Sequence, residues 1–153
     1  MQTFLPYASY TESARCLDNK RLGKQRVECK QILRALGVPV GGETSEGWRH
    51  HPAVIMWRGY EYHLCLYAIA MCMEWQRRGF RDSLMWQFIL SAASSFVRRG
   101  KQRPPFIDDE RFHRSHRSNL LRKDPKHYGN FNWGVSPDLP YVWPSKEVSS
   151  AGV

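Results

Sequence analysis

The sequence predicts an all-α fold: a compact single-domain helical bundle with an extended C-terminal tail rich in Trp and Pro. Helix-capping residues precede several segments in which apolar residues recur every three or four positions. No segment shows the alternation of apolar and polar residues that is typical of a strand. A length of 153 residues suits one domain with a core. We therefore expect one domain over residues 1–147 and a disordered tail over residues 148–153.

Two capped helices are predicted in the first part of the chain. Ser9 begins a capping box that Glu12 completes, which indicates a short first helix. Asp18 can cap a second helix, residues 19–36, and Gly37 is suited to end it.

Proline and glycine positions delimit the later helices. A proline at position 52 suits the first turn of a long helix that runs to about residue 78 and is apolar around most of its circumference. Asp82 can cap a further helix, residues 83–99. A short turn of helix is expected at residues 109–112, and the extended tail begins at Asn130. The long helix is therefore the predicted centre of the core.

The charge of the chain indicates a polyanionic partner. Lys and Arg number 23 against 14 acidic residues, which gives a net charge of +9 and a pI of about 9.7. Nucleic acid is the simplest such partner, and an anionic membrane surface is the alternative. The sequence has no lipidation signal and no apolar run long enough to span a membrane. It also has no charged leader followed by an apolar stretch, so we expect a cytoplasmic protein that associates with the nucleoid when bound to DNA.

The segment FHRSHRSNLLRKDPKHY, residues 112–128, has the highest density of hydrogen-bond donors. Arginine forks and hydroxyl groups suit a surface that holds phosphates, whereas a solvated basic loop is the simpler alternative. The candidate DNA-contacting residues of this segment are His113, Arg114, His116, Arg117, Arg122, Lys123 and Lys126.

Cysteine and histidine residues do not indicate a metal site. The four cysteines include no C-x-x-C pair and are expected to be small buried residues in a reducing compartment. The pairs His50–His51 and His113–His116 have no acidic or thiolate partners at metal-binding spacing. We therefore expect no metal and no cofactor.

The predicted second helix carries a polar stripe beside its apolar face. The stripe consists of Arg21, Lys24, Glu28 and Gln31 at spacings of three and four residues. Its one carboxylate lies among cations that could contact DNA. An ordinary surface ion pair between Lys24 and Glu28 is the alternative.

Five segments together resemble a family of repair enzymes. They are FLPY, SARCLDNKRLGKQRVE, HPAVIMWRGYE, HRSHRSNLLRKDP and DLPYVWP. The chain resembles the pyrimidine-dimer DNA glycosylase family, also called phage-type endonuclease V, and is most similar to its bacterial branch, from Thr3 to about Pro144. The resemblance implies a helical single-domain protein that acts on damaged double-stranded DNA, and we expect a monomer. It would excise one base of a cyclobutane pyrimidine dimer and then nick the strand by β-elimination.

The resemblance also implies catalytic roles. In the phage enzyme the nucleophile is the α-amine of the chain, assisted by a glutamate whose counterpart here is Glu28. Either Arg21 or Arg26 matches a phosphate-binding arginine, and Gln31 stands where the phage enzyme has a second one. Two other functions stay open: action on another modified pyrimidine in DNA, and DNA binding without catalysis.

The chemistry of amines is consistent with such a nucleophile. An α-amine, with a pKa of about 7.7–8.0, is far more often neutral at pH 7 than a lysine, with a pKa of about 10.4. Gln2 is too bulky for ordinary removal of the initiator methionine, so the amine is expected to belong to Met1. Unusual processing or loss of the lyase step are the alternatives, and Lys20 and Lys24 are the reserve amines.

Damage recognition is expected to involve deformation of the duplex, because a dimer is already poorly stacked. His50 and His51 follow Trp48 and Arg49 in a loop and are candidates for DNA contact. The aromatic residues that could stack or wedge are Trp48, Trp57, Tyr128, Trp133 and Trp143, with core or tail packing as the alternative for each.

Overall fold

A computed structural model describes residues 1–144, which form helices joined by turns and loops. The α-helices are α1 (Tyr10–Cys16), α2 (Asn19–Ala35), α3 (Pro52–Ile55), α4 (Glu61–Arg77), α5 (Met85–Ala93), α6 (Ser95–Arg98), α7 (Glu110–Lys123) and α8 (Pro125–Tyr128). Short 3-10 turns cover Pro105–Asp108 and Gly129–Phe131. Residues 1–144 contain no β-strand, so the predicted all-α fold is confirmed. The expected disorder of residues 148–153 lies outside the described residues.

The predicted caps of the first two helices are present. The Ser9 hydroxyl accepts a hydrogen bond from the backbone N–H of Glu12 at 3.1 Å, and the Asp18 carboxylate accepts one from Arg21 at 3.3 Å. Each bond satisfies a backbone donor that the first turn of a helix leaves without a partner. Helix α2 ends at the predicted place because Gly37 adopts a φ of 84°, which favours glycine.

Two predicted helices are each broken into two. The long helix expected over residues 52–78 consists of α3 and α4, because Gly59 between them adopts a φ of 90°. The helix expected over residues 83–99 consists of α5 and α6. Ser94 interrupts it with an extended backbone (ψ 148°), and its hydroxyl caps α6. Asp82 nevertheless accepts hydrogen bonds from the backbone N–H groups of Leu84 and Met85, at 3.2 and 2.9 Å.

The basic segment is a helix rather than a loop with one short turn. Asp109 caps α7 by accepting a hydrogen bond from the backbone N–H of Arg111 at 3.0 Å, and the helix continues for 14 residues. One face of α7 is buried and unusually polar. It consists of Phe112, His113, Ser115, His116, Ser118, Asn119 and Leu120. The prediction of a surface segment was therefore wrong for this face.

Helix α4 lies at the centre of the core, as predicted for that part of the chain. It packs against α1, α2 and α5, and its Leu64, Tyr67 and Met71 are fully buried. Within residues 1–144, no helix is both long enough and apolar enough to cross a bilayer.

A buried carboxylate joins α4 to the connection between α1 and α2. Glu74 accepts hydrogen bonds from Arg77 at 2.7 Å and from Arg78 at 2.8 Å. The Arg78 guanidinium also donates to Asn19 at 2.9 Å and to the carbonyl of Arg15 at 3.1 Å. Hydrogen bonding from Arg77, opposed by burial and supported by Arg78, lowers the pKa of Glu74 to about 2.

We expect Glu74→Gln to lower the free energy of unfolding at pH 7 by about 1–2 kcal/mol, because Arg78 loses its charged partner while Arg77 stays in solvent. A carboxylate whose pKa is lower in the folded than in the unfolded protein stabilises the fold at pH values above its ordinary pKa of 4.5. This stabilisation is lost as the pH falls from 4.5 towards 2. The melting temperatures of wild type and variant should therefore converge over that pH range.

The control is Asp108→Asn, which breaks an exposed ion pair with Arg103 and should change the melting temperature little. A difference in melting temperature that is independent of pH would contradict this explanation.

Candidate active site

The first residues of the chain run in an extended form through the interior. Residues 2–6 are buried, and side chains from the helices satisfy their backbone groups. The N–H of Phe4 donates to the side-chain oxygen of Gln25 at 2.9 Å, and the Tyr67 hydroxyl donates to the carbonyl of Phe4 at 2.8 Å. Trp57 donates its indole N–H to the Thr3 hydroxyl at 2.9 Å. The start of the chain is therefore fixed in position relative to α2 and α4.

His113 and His116 hold this N-terminal segment and do not face outwards. The N–H of Leu5 donates to Nδ1 of His116 at 2.9 Å, and the ring nitrogens of His113 lie 2.7 Å from the carbonyls of Leu5 and Ile107. Burial lowers the pKa of His116 to about 3, so its ring is neutral and can accept that hydrogen bond. The prediction that these two histidines contact DNA is corrected here, because neither ring reaches the surface.

A cleft of about 310 Å³ opens where the N-terminal segment emerges beside α2. Its walls are formed by Met1, Gln2, Phe4, Lys20, Arg21, Lys24, Gln25, Glu28, Lys123 and Tyr141. The N–H of Gln2 donates to Oε2 of Glu28 at 3.0 Å, and the side-chain amide of Gln25 contacts the same oxygen at 3.4 Å. The first peptide unit of the chain is thus bonded directly to the one carboxylate of the cleft.

One cation pairs with that carboxylate, and other cations line the same cleft. Nζ of Lys24 lies 3.8 Å from Oε1 of Glu28, and Arg21 is paired with Asp18 at 3.1 Å. Burial and then the charges of Arg21, Arg122 and Lys24 lower the pKa of Lys123. Because cations repel one another unless an anion lies between them, this cluster suits a phosphate.

Three predicted DNA-contacting arginines have structural partners instead. Arg26 is buried, pairs with Asp82 and lies 5.0 Å above the ring of Trp75. Of the two arginines that match the family's phosphate-binding residue, only Arg21 therefore lines the cleft.

The other two arginines, Arg117 and Arg122, hold neighbouring backbone. Arg117 donates to the carbonyl of Pro6 at 2.7 Å and pairs with Glu110. Arg122 donates to the carbonyl of Pro137 at 3.0 Å. The basic segment thus anchors both the N-terminal segment and the tail, and only Lys123 among its predicted DNA contacts lines the cleft.

The remaining predicted contacts are exposed or lie close to the cleft. His50, Arg114 and Lys126 are exposed but do not line it. Nδ1 of His51 caps α3 by accepting a hydrogen bond from the N–H of Ala53 at 3.0 Å. Burial lowers the pKa of His51, the charge of the amino terminus lowers it further, and the Glu28 carboxylate opposes them. His51 does not line the cleft, but its ring centroid lies 6.3 Å from that of Trp143, which in turn lies 5.7 Å from that of the cleft residue Tyr141.

Three of the five candidate stacking residues are packed into the protein. Trp57 and Tyr128 are fully buried, and the indole of Trp133 donates to the Tyr7 hydroxyl at 2.8 Å while stacking on Tyr128. Trp143 is half-buried. Trp48 differs from all of them because 63% of its surface is exposed.

Four residues that line the cleft were not predicted as site residues: Gln2, Phe4, Gln25 and Tyr141. Gln25 lies three residues before Glu28 on α2, a spacing that could have indicated their contact. Tyr141 comes from the tail, and no sequence signal indicates its approach to the cleft. The four cysteines are buried and unpaired, as predicted. Within residues 1–144, no three His, Cys, Asp or Glu side chains are grouped so as to hold a metal ion.

Comparison with known proteins identifies the family. A family model described as pyrimidine dimer DNA glycosylase matches residues 1–88, more than half of the 153-residue chain. No curated protein and no solved structure matches it. The matched range includes the N-terminal segment and α2 with Glu28, whereas Lys123 and Tyr141 lie beyond it. The chain therefore belongs to the pyrimidine dimer DNA glycosylase family, a family of DNA repair enzymes.

Proposed function

We propose that this protein excises one base of a cyclobutane pyrimidine dimer and then nicks the strand, through a Schiff base on the α-amine of Met1. One observation carries the proposal: the N–H of Gln2 donates to Glu28 at 3.0 Å, so the residue that carries the α-amine is anchored at the wall of a cationic cleft that contains one carboxylate. An amine next to a carboxylate is the pair that nucleophilic attack at a sugar carbon needs.

The first chemical step replaces the base by the amine. The amine nitrogen attacks C1′ of the damaged nucleotide, and the glycosidic bond breaks with its electron pair leaving on the base, which takes up a proton. The Glu28 carboxylate stabilises the positive charge that develops at C1′. The attacking nitrogen gives up a proton to the departing base. The C1′–O4′ bond then breaks with its electron pair on O4′, which takes up a proton from water, and the nitrogen lone pair forms the iminium that joins the sugar to Met1. The released base stays joined to its neighbour through the cyclobutane ring.

The second step breaks the strand. The iminium makes the C2′ proton acidic, and Glu28 is the carboxylate in position to accept it. Loss of that proton expels the 3′ phosphate by β-elimination, and hydrolysis of the imine restores the free amine. The cations of the cleft, Lys24 and Lys123 among them, are suited to hold the phosphates on either side of the sugar.

A direct test uses a duplex with a single cyclobutane dimer. We expect cleavage of one glycosidic bond of the dimer, which is detected as base release once light has split the cyclobutane ring. We also expect strand cleavage, and a covalent protein–DNA adduct when borohydride is present, since borohydride reduces the iminium. Release without an adduct would indicate a glycosylase that activates water. Binding without release would indicate an inert DNA-binding module, and release only from other modified pyrimidines would indicate a different substrate.

The cleft cations should account for part of the salt dependence of DNA binding. We expect Lys24→Ala combined with Lys123→Ala to reduce the slope of log K against log salt by about 2, because each phosphate contact to duplex DNA contributes about 0.9. Fluorescence anisotropy at several salt concentrations measures that slope for damaged and undamaged duplexes.

The control removes the same charge elsewhere. Arg98 and Arg99 are exposed at α6 and do not line the cleft, so Arg98→Ala with Arg99→Ala should change the slope less. Equal slopes for the two double variants would mean that binding follows net charge alone.

A further inference from the structure

Trp48 combines two features that rarely occur together in a bulky residue. Its φ is 66°, in the left-handed region that disfavours side chains with a Cβ atom, and 63% of its surface is exposed. An exposed ring does not contribute the hydrophobic stabilisation that a buried one would, and the left-handed backbone conformation adds strain. A glycine at this position would avoid both penalties, so folding alone does not explain the tryptophan.

The surrounding loop is held in place rather than left free. The N–H of His51 donates to the carbonyl of Trp48 at 3.0 Å, which closes a turn. Arg58 donates to the carbonyl of Arg49 at 3.1 Å, and the Arg49 side chain pairs with Glu46 at 3.6 Å. The ring of Trp48 is therefore presented to solvent on a fixed backbone.

A continuous row of rings leads from this loop to the cleft. The Trp48 and His51 ring centroids are 6.0 Å apart, those of His51 and Trp143 6.3 Å, and those of Trp143 and Tyr141 5.7 Å. Tyr141 is part of the cleft wall.

We propose that Trp48 stacks on a DNA base unstacked beside the lesion and so stabilises the deformed duplex while Met1 reaches the sugar. This inference rests on the proposed function. Excision requires that C1′ enter the cleft, and a duplex must open locally for that to happen. A flat ring at the end of the aromatic row would replace the lost stacking for a base of any sequence.

The positive charge of the cleft favours DNA, rather than a protein, as the partner that contacts the Trp48 ring. One end of the row lies at a cleft lined by Lys20, Arg21, Lys24 and Lys123, with one carboxylate among them, and the other end is the exposed ring of Trp48. A polyanion that fills the cleft and continues along the row would reach that ring. An extruded base carries no charge and offers two apolar faces, which suits stacking on the exposed ring.

Glycine provides a sharp test, because it removes the ring and relieves the backbone strain at once. For Trp48→Gly we expect an unchanged or higher melting temperature, together with a fall of about 5- to 150-fold in single-turnover excision from duplex DNA, the range of stacking energies per base. Trp48→Phe keeps a ring and should retain most of the activity. Trp86→Ala removes a ring of similar exposure, 67%, from α5 and should excise at the wild-type rate.

Two further measurements separate stacking from chemistry. Borohydride trapping on a single-stranded oligonucleotide with a preformed abasic site should be the same for Trp48→Gly and wild type, since no base needs to be unstacked there. The fluorescence of 2-aminopurine placed opposite or next to the dimer depends on its stacking partner, so it should change on binding wild type and change much less on binding Trp48→Gly.

Several results would overturn the inference. One is excision at the wild-type rate by Trp48→Gly together with a wild-type 2-aminopurine signal. Another is a loss of excision in Trp48→Phe or Trp86→Ala as large as that in Trp48→Gly. The third is a marked drop in the melting temperature of Trp48→Gly, which would mean that the ring stabilises the fold by packing. Failure of the proposed function is a different result: the wild-type protein itself would then form no adduct with abasic DNA.

Discussion

Glu28→Gln should reduce base excision by about 10²- to 10⁴-fold, while the protein folds normally and binds DNA at least as tightly as wild type. The side-chain oxygen of glutamine can still accept the hydrogen bond that the N–H of Gln2 donates at 3.0 Å, so the N-terminal segment should keep its position. The variant loses only the negative charge that the proposed mechanism uses to stabilise C1′ and to accept the C2′ proton. Loss of that charge also makes the cleft more attractive to phosphates.

Single-turnover excision, thermal melting and anisotropy together check this expectation. Glu12→Gln makes the same change of charge at an exposed site on α1 and should behave as wild type in all three measurements. Excision at the wild-type rate by Glu28→Gln would remove the carboxylate from the mechanism. A large fall in melting temperature would instead assign Glu28 mainly to holding the N-terminal segment.

The helix starts that depend on contacts between near neighbours in the chain could be predicted from the sequence. Ser9 and Asp18 cap α1 and α2 as predicted, since a cap is a bond between residues three positions apart. The breaks at Gly59 and Ser94 were not predicted, because an isolated glycine or serine is tolerated within a helix and only packing decides whether the chain turns there.

The polar side of α7 shows why part of the site could not be predicted. His113, His116 and Asn119 have the composition of a surface, and their burial depends on the N-terminal segment and tail that bond to them. Those partners lie about a hundred positions earlier or about twenty later in the chain, so no local pattern reveals them. Burial of polar residues is favourable only when such partners are supplied.

Glu28 was proposed from the family resemblance, and the separated faces of its helix agreed with that assignment without requiring it. Spacings of three and four placed this carboxylate among cations on α2, and the structure adds the bond to Gln2. Arg26 lies two residues before Glu28 and faces Asp82 instead. The resemblance did not decide whether Arg21 or Arg26 matches the family's phosphate-binding arginine. Only the structure shows which of the two lies on the face of α2 that lines the cleft.

Extension of the chain before Met1 should abolish borohydride trapping. Residues 2–6 are buried and bonded to α2, α4 and α7, whereas Met1 is half-buried at the cleft. A short uncleaved tag can therefore leave through the opening without displacing the segment behind it. It turns the α-amine into an amide, which is not nucleophilic, so trapping on abasic DNA should fall at least about 100-fold. The same tag at the C-terminus is the control and should leave trapping intact.

Peptide mapping of the wild-type adduct should place the reduced sugar on Met1. Lys20 and Lys24 also line the cleft, and they are the amines that could replace it. A lysine that acts as a nucleophile is ordinarily desolvated, whereas the side chain of Lys24 is 68% exposed. Lys24→Ala should therefore keep the adduct, and the tagged protein should bind DNA while forming none. An adduct on either lysine, or full trapping by the tagged protein, would transfer the nucleophile from the terminus to a side chain and leave the bond between Gln2 and Glu28 with a structural role alone.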